Sequence, residues 1–251
     1  MRIKSADRTL QILSYIAQHQ PVGMKEIRDG MAIPRSSLHG LLGVLQDHGF
    51  IGTDQLGRYL IGLRAFEVGS SWQKTVGVES AAAPVLRDLV AEVKQIAHVG
   101  VLDGTDIVYI MKQENERPVR LVSAVGRRLP CHATALGKVL LSPFSEQQIH
   151  ERFNVRELPA MTPSTITDLD QLIAVVEEVR HRGYCIDRGE STVGVTCYAS
   201  PIRDLRGSII AALSVSVIDA DPLIKSEAEY VAAVTGAARS ISARLGYREA
   251  A

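Results

Sequence analysis

The stretch Lys25–Arg64, KEIRDGMAIPRSSLHGLLGVLQDHGFIGTDQLGRYLIGLR, decides the fold of the first part of this chain. Met24, Ile27 and Met31 recur at helical spacing, which gives a short helix one buried side. Gly30 and the turn Ala32-Ile33-Pro34 are expected to stop it, because proline disfavours helix in the residue before it. A second helix is expected from about Arg35, with Pro34 at a tolerated entry position and Ser36 or Ser37 as its cap. Leu38, Leu41, Leu42 and Leu45 fall at i, i+3, i+4 and i+7, so one face packs inward. The opposite face carries Arg35, Ser36, Ser37, His39, Gly40 and Val44, small or hydrogen-bonding residues suited to a major groove. Gly49-Phe50-Ile51-Gly52 opens a hairpin that turns at Asp54–Gly57 and returns through Arg58–Ile61. Two helices at a tight turn followed by a two-stranded wing make a winged helix-turn-helix.

The chain has 251 residues, 46% of them hydrophobic, enough for two ordinary domains. No apolar run reaches the roughly 18 residues of a membrane span, and the N-terminus lacks a signal-peptide core, so a cytoplasmic protein is expected. Three scattered cysteines, Cys131, Cys185 and Cys197, make neither a disulfide framework nor a zinc site. The formal net charge is zero, which alone argues against nucleic-acid binding. Its distribution argues the other way. Residues 1–64 hold eight Lys and Arg against five Asp and Glu, whereas the remainder holds 20 against 23. A basic small domain on an acidic larger one fits DNA binding segregated to the N-terminus, with Lys25, Arg35 and Arg58 as expected phosphate contacts and the N-terminal Arg2, Lys4 and Arg8 as further candidates.

Beyond the wing, Gly62–Lys74 reads as a linker helix whose apolar Leu63, Phe66 and Trp72 suit packing either against a second copy or within one chain. A longer amphipathic helix follows, with Val78, Ala82, Val85, Leu86, Leu89 and Val93 on one stripe. Ile96–Leu102 and Ile107–Lys112 flank the turn Asp103–Asp106, which predicts a hairpin. Val119–Ala124, Tyr184–Ile186, Val195–Ala199 and Ser208–Val217 read as further strands. Helices are expected at Ala133–Leu141, Glu146–Phe153, Asp168–Arg182 with Thr167 as cap, and Asp221–Leu245. Strands and helices mixed without regular alternation imply an α+β domain around an antiparallel sheet. The expected division is 1–62 for the winged helix, 63–76 for the linker and 77–251 for the larger domain.

Several motifs in order give the chain a resemblance to the IclR family of bacterial transcription regulators. They are Arg8-Thr9-Leu10-Gln11-Ile12-Leu13, Ile33–His39 with Leu41-Leu42, Gly57–Gly62 and Leu129–Lys138. Arg182-Gly183-Tyr184, Gly194–Cys197, Ala199–Ile202 and Ala212–Ser216 complete the set. The resemblance implies a winged helix-turn-helix joined to a GAF-like domain that binds a small effector, in a homodimer or homotetramer. It carries the effector pocket over to Pro118, Leu121, Leu129, Ala135, Leu136, Asp187, Val195, Cys197, Ser214 and Ser216. The chain departs from the family at Gly40, where an arginine is usual in the recognition helix.

Physical chemistry adds to that pocket. Ser214 and Ser216 alternate on one strand, so their hydroxyls share a face, as do Val195 and Cys197 on a neighbouring strand. The helix beginning near His132-Ala133 has small residues in its first turn, so its amides are expected to be free for an anion. No lysine or arginine falls among the pocket positions, so an acid ligand would rely on hydrogen bonds.

Enzyme readings fare poorly. Gly137-Lys138 lacks the upstream glycine of a phosphate-binding loop. Cys131 and His132 are adjacent and have no orienting partner. Asp187 and Glu190 are placed in a solvated loop, and the seven histidines show no ligand spacing. No cofactor and no metal are expected. The reading is a DNA-binding regulator, expected to be a repressor, controlled by a small organic or aromatic acid. Its alternative is an oligomeric small-molecule sensor whose N-terminal domain mediates protein association.

Overall fold

The computed structural model describes residues 3–114, 123–222 and 224–248, with the backbone alone over 70–76. The chain divides into two compact units, Met1–Val76 and Gly77–Ala251.

In the first unit, α1 (Lys4–His19), α2 (Met24–Met31) and α3 (Arg35–Asp47) precede a hairpin of β1 (Ile51–Thr53) and β2 (Tyr59–Ile61). Ile12 and Ile16 of α1, Ile27 of α2 and Leu38, Leu42 and Leu45 of α3 meet Ile51 and Tyr59 in one buried cluster. Each such burial stabilises the unit by about 1.5–3 kcal/mol over leaving the side chain in water. The i, i+3, i+4, i+7 pattern therefore set the inward face of α3, with Leu41 at its half-buried rim.

Two local expectations are corrected. Gly30 does not stop α2. It lies inside the helix, where a Cβ would come within 2.3 Å of the Tyr15 hydroxyl oxygen, so the glycine permits close approach of α1. The stop is Ala32, left-handed at φ 51°, whose N–H bonds to the Arg28 carbonyl. Nor do Ser36 and Ser37 cap α3, since the N-cap is Pro34, which makes no side-chain bond. Both serines are exposed in the first turn.

The wing forms where expected, with Ile51 opposite Ile61 and Thr53 opposite Tyr59. Asp54 holds its turn, its Oδ1 accepting from the Leu56 and Arg58 amides, each at 2.9 Å. The helix α4 (Leu63–Val76) follows, with Leu63 71% and Phe66 68% exposed. The side chain of Trp72 lies outside the described residues.

The second unit is an antiparallel six-stranded sheet between two helical layers. Its strands are β3 (Ile96–Asp103), β4 (Asp106–Gln113), β5 (Arg128–Pro130), β6 (Cys185–Arg188), β7 (Val195–Arg203) and β8 (Ile209–Ile218). They lie in the order β5-β4-β3-β8-β7-β6. One face packs on α5 (Val78–Val93) and α9 (Glu227–Arg244), where Tyr198 of β7 stacks on Tyr230 of α9. The other carries α6 (Ala135–Leu141) and, beyond it, α7 (Glu146–Phe153) and α8 (Leu169–Arg182). All six apolar residues of the expected α5 stripe are buried. The α+β class and the antiparallel sheet stand.

Boundaries moved where capping chemistry intervened. Asp168, not Thr167, caps α8, its Oδ1 accepting from the Gln171 amide at 2.8 Å. The last helix begins at Glu227 rather than Asp221, because Ser226 and Glu229 form a reciprocal capping box. The expected strand Val119–Ala124 lies outside the described residues for 119–122, and Ser123 and Ala124 are not in strand. The short edge strand β5 was not foreseen.

Candidate nucleic-acid interface and effector site

In the first unit, α3 presents Arg35, Ser36, Ser37 and His39 to solvent, opposite the buried Leu38, Leu42 and Leu45. The backbone bonds of α3 begin with the Leu38 amide on the Pro34 carbonyl, and no side chain caps the amides before it. At Gly40 a Cβ would meet nothing within 4 Å, so the glycine serves no packing need and leaves the centre of this face flat. Lys25 is exposed on α2. Arg58 differs from the other cations, since its guanidinium is paired with Asp54 at 2.8 Å within the wing turn.

In the second unit, strand register brings part of the expected pocket together. Asp187 of β6 lies opposite Cys197 of β7, which lies opposite Ser216 of β8. The Cys197 Sγ sits 3.3 Å from Ser216 Oγ. Ser214 is one step along the same face, between His98 of β3 and Ala199 of β7. The amide of Ala135, at the start of α6, faces the Asp187 carboxyl and works against its raised pKa. Leu136 is buried in the adjoining core, while Leu129 sits half-buried on β5 opposite Ile107. Val195 is at the far end of β7, opposite Ile218. Pro118 and Leu121 lie outside the described residues.

The acids are not where a solvated loop would put them. Asp187 is 1% and Glu190 8% exposed. Burial pushes the Asp187 carboxyl up to about 7, against the opposing pull of the Glu190 amide at 2.8 Å and of the Lys138 charge. Glu190 is ion-paired with Lys138, a lysine 1% exposed on α6, and its other oxygen, Oε2, has no partner. Hydroxyls of Thr162 and Thr165 fix this corner by donating to the Gly189 and Glu190 carbonyls, each at 2.7 Å.

The first turn of α6 also differs from expectation. The segment Cys131–Ala133 is a 3-10 turn, and Thr134 caps α6 by accepting from the Gly137 amide at 3.0 Å. Of the amides expected to be free, that of Thr134 bonds the Cys131 carbonyl at 3.4 Å and that of Ala135 faces the Asp187 carboxyl.

His98 and Tyr109 complete the wall, stacked with ring centroids 4.4 Å apart. Burial pushes His98 down to about 3, so it is neutral and shares a 2.8 Å bond with the Ser123 hydroxyl. Burial likewise lifts the Tyr109 hydroxyl well above its usual range. The sequence reading missed His98 and Tyr109, and weighed Lys138 and Glu190 only for enzyme chemistry and never as a buried pair. Alternation placed the first two on strands but could not say which face met α6. A lysine among Ala135–Leu141 was the available signal for a buried pair.

The cysteines and His132 form no nucleophilic pair. Burial pushes the Cys131, Cys185 and Cys197 thiols up to about 12, and His132 bonds the Pro159 carbonyl at 2.9 Å rather than Cys131. Among the described residues there is no metal-binding cluster of His, Cys, Asp or Glu, and no helix is long and apolar enough to cross a membrane.

A winged helix-turn-helix joined in one chain to an α+β unit with a buried polar cluster is the architecture of a DNA-binding regulator. Residues 5–55 match the IclR helix-turn-helix domain, and residues 72–243 match the bacterial transcriptional regulator IclR C-terminal domain. The chain belongs to the IclR family of bacterial transcriptional regulators. It is 32% identical to the HTH-type transcriptional regulator XynR of Escherichia coli K12 over 247 residues, 98% of each chain. It is 34% identical to the HTH-type transcriptional repressor AllR of the same strain, over 85% of this chain and 79% of that one. The crystal structure of Thermotoga maritima IclR superposes with a TM-score of 0.76 at 29% identity, covering 98% of this chain and all of the other.

Proposed function

We propose that this regulator is a cytoplasmic repressor that lays α3 in the DNA major groove and leaves its operator when a small organic acid enters the Asp187 cluster. The observation that carries the DNA half is the outer face of α3, where Arg35, Ser36, Ser37 and His39 are exposed above an uncapped helix start. Free amides and a cation at a helix N-terminus suit a phosphate, while serine and histidine side chains reach base edges. Lys25 adds a second backbone contact. Arg58 contributes less, because its charge is shared with Asp54.

Arg35→Ala is expected to weaken binding to duplexes of any sequence and to lower the salt slope by about one phosphate contact. Fluorescence anisotropy on one specific and one mixed-sequence duplex across a salt series measures this. An unchanged slope removes Arg35 from the interface.

The effector half rests on Asp187. With its carboxyl near 7, it can meet an incoming carboxylate as a protonated donor, which an ordinary aspartate could not do. Ser214, Ser216, the Cys197 thiol and the apolar side chains around Leu136 then supply orientation.

The assembly we propose is a homodimer or homotetramer paired through α4, whose Leu63 and Phe66 expose large apolar surface. Pairing places two α3 helices on half-sites about 34 Å apart or a multiple of it. Analytical ultracentrifugation at micromolar concentration should show a dimer or larger. A monomer sinks both the pairing surface and the palindromic operator.

A further inference from the structure

We propose that the second unit carries another binding site, for a small organic carboxylate with an apolar body, at the end of α6 remote from Asp187. A cavity of about 570 Å³ lies there, within the range of small-molecule sites. Its nearest helical lining, Val139, is four residues beyond Ala135, about 6 Å along the axis of α6. Its apolar wall is Leu102 of β3, Val139 and Leu140 of α6, Phe144 and Ile209 of β8.

Three arginines, Arg152, Arg180 and Arg203, line the same cavity, and no Asp or Glu does. They are not equivalent. Arg180 is committed to the fold. It donates to the Ser142 and Phe144 carbonyls, each at 2.8 Å, which closes the C-terminal end of α6, and it is paired with Glu177. Arg152 and Arg203 have only neutral partners among the described residues. Arg152 donates to the Gly104 carbonyl at 2.6 Å, and Arg203 to the Gly207 carbonyl at 2.9 Å. The Nε of Arg152 is buried with no acceptor.

A guanidinium has five N–H donors, and one carbonyl bond each leaves most of that capacity and the whole charge unanswered. Arginine whose task is only to cap a carbonyl can keep a nearby acid as counterion, as Arg180 does. Both uncompensated arginines also lie over aromatic rings, Arg152 4.4 Å from the Phe144 centroid and Arg203 6.0 Å from that of Tyr247. Stacking holds a guanidinium in place, so little entropy is lost when it binds a planar carboxylate. Two such cations on an apolar-walled cavity fit a ligand with an anionic head and a hydrocarbon body.

The two sites call for opposite chemistry. The Asp187 cluster presents a carboxyl, hydroxyls and a thiol, whereas this one presents permanent cations. A ligand here therefore binds without the proton that Asp187 requires.

The test is calorimetric titration of the full chain with benzoate, benzamide and inorganic phosphate at up to millimolar concentration. Benzoate is expected to bind saturably and both controls far more weakly. Arg152→Gln and Arg203→Gln should each weaken benzoate about tenfold or more. Ser208→Trp, which fills the cavity from the β7–β8 turn and keeps every arginine, should abolish it. Thermal melts of the three variants establish that they are folded, and Asp187→Asn should leave this binding event in place. The proposal is overturned if benzoate shows no saturable binding, or if its binding ignores the arginine and Ser208 variants. Loss in Asp187→Asn alone assigns the acid to the other cluster and overturns it too. Equal binding of benzamide or phosphate overturns the charge or the apolar part of the argument.

Discussion

Lys138→Met is expected to destabilise the second unit by about 3–5 kcal/mol, the loss typical of a buried charge stripped of its partner. Lys138 is 1% exposed and its counterion Glu190 has a side chain 10% exposed, so solvent cannot replace the missing cation. Glu190 already has one oxygen without a partner, and its backbone is tied down by Thr162 and Thr165, which leaves it little freedom to swing outward. The double variant Lys138→Met/Glu190→Gln should recover much of the loss, because it removes the orphaned charge together with the pair. Urea unfolding of the wild type, both single variants and the double variant measures the coupling. A cost for Lys138→Met below about 1 kcal/mol would mean that the pair behaves as an exposed one.

Asp187→Asn should instead stabilise the protein, and increasingly so as pH rises. The folded-state pKa of Asp187 is raised from 3.8 to about 7, chiefly by burial. Its contribution to stability is therefore fully present below about pH 4 and is lost as pH rises through 7. The asparagine has no such loss. The stability difference between variant and wild type should grow between those limits by up to about 4 kcal/mol. Comparing the two proteins cancels the opposite trend of His98, whose depressed pKa costs stability as pH falls below 6.5. The groups that face Asp187 and modulate this are the Ala135 and Glu190 amides, Lys138, Glu190, Tyr109, Cys185 and Cys197. The same proton should govern the ligand. In the wild type, small acids but not their amides should bind more weakly as pH rises past 7, and in Asp187→Asn that dependence should vanish. Denaturation and titration series across that range check both. A flat difference in stability would place Asp187 in a more polar setting than its burial implies.

The sequence by itself determined the elements whose signals are local. The Leu38–Leu45 spacing, the Asp54–Gly57 turn and the α5 stripe depend only on helical period and turn chemistry, and each forms where the residues place it. The exposed face of α3 followed directly, since fixing the buried side of a helix fixes the other. Ser214 and Ser216 share a face for the same reason, two residues apart on one strand.

Tertiary structure decided whatever depends on which surfaces meet. Gly30 looked like a helix stop and is instead the gap that Tyr15 fills, a contact between residues of different helices. Asp187 and Glu190 looked like loop acids because nothing local reveals that β6 is roofed by α6, and that roof both buries them and delivers Lys138 to Glu190. It also turns the Ala135 amide, which the sequence left open for a ligand, toward Asp187. Strand order placed His98 beside Ser214 and Asp187 beside Cys197, across chain separations that no periodicity spans. Periodicity fixes which way a side chain faces along its own element. Only the packed fold fixes what it faces, and therefore its solvent, its charge and its chemistry.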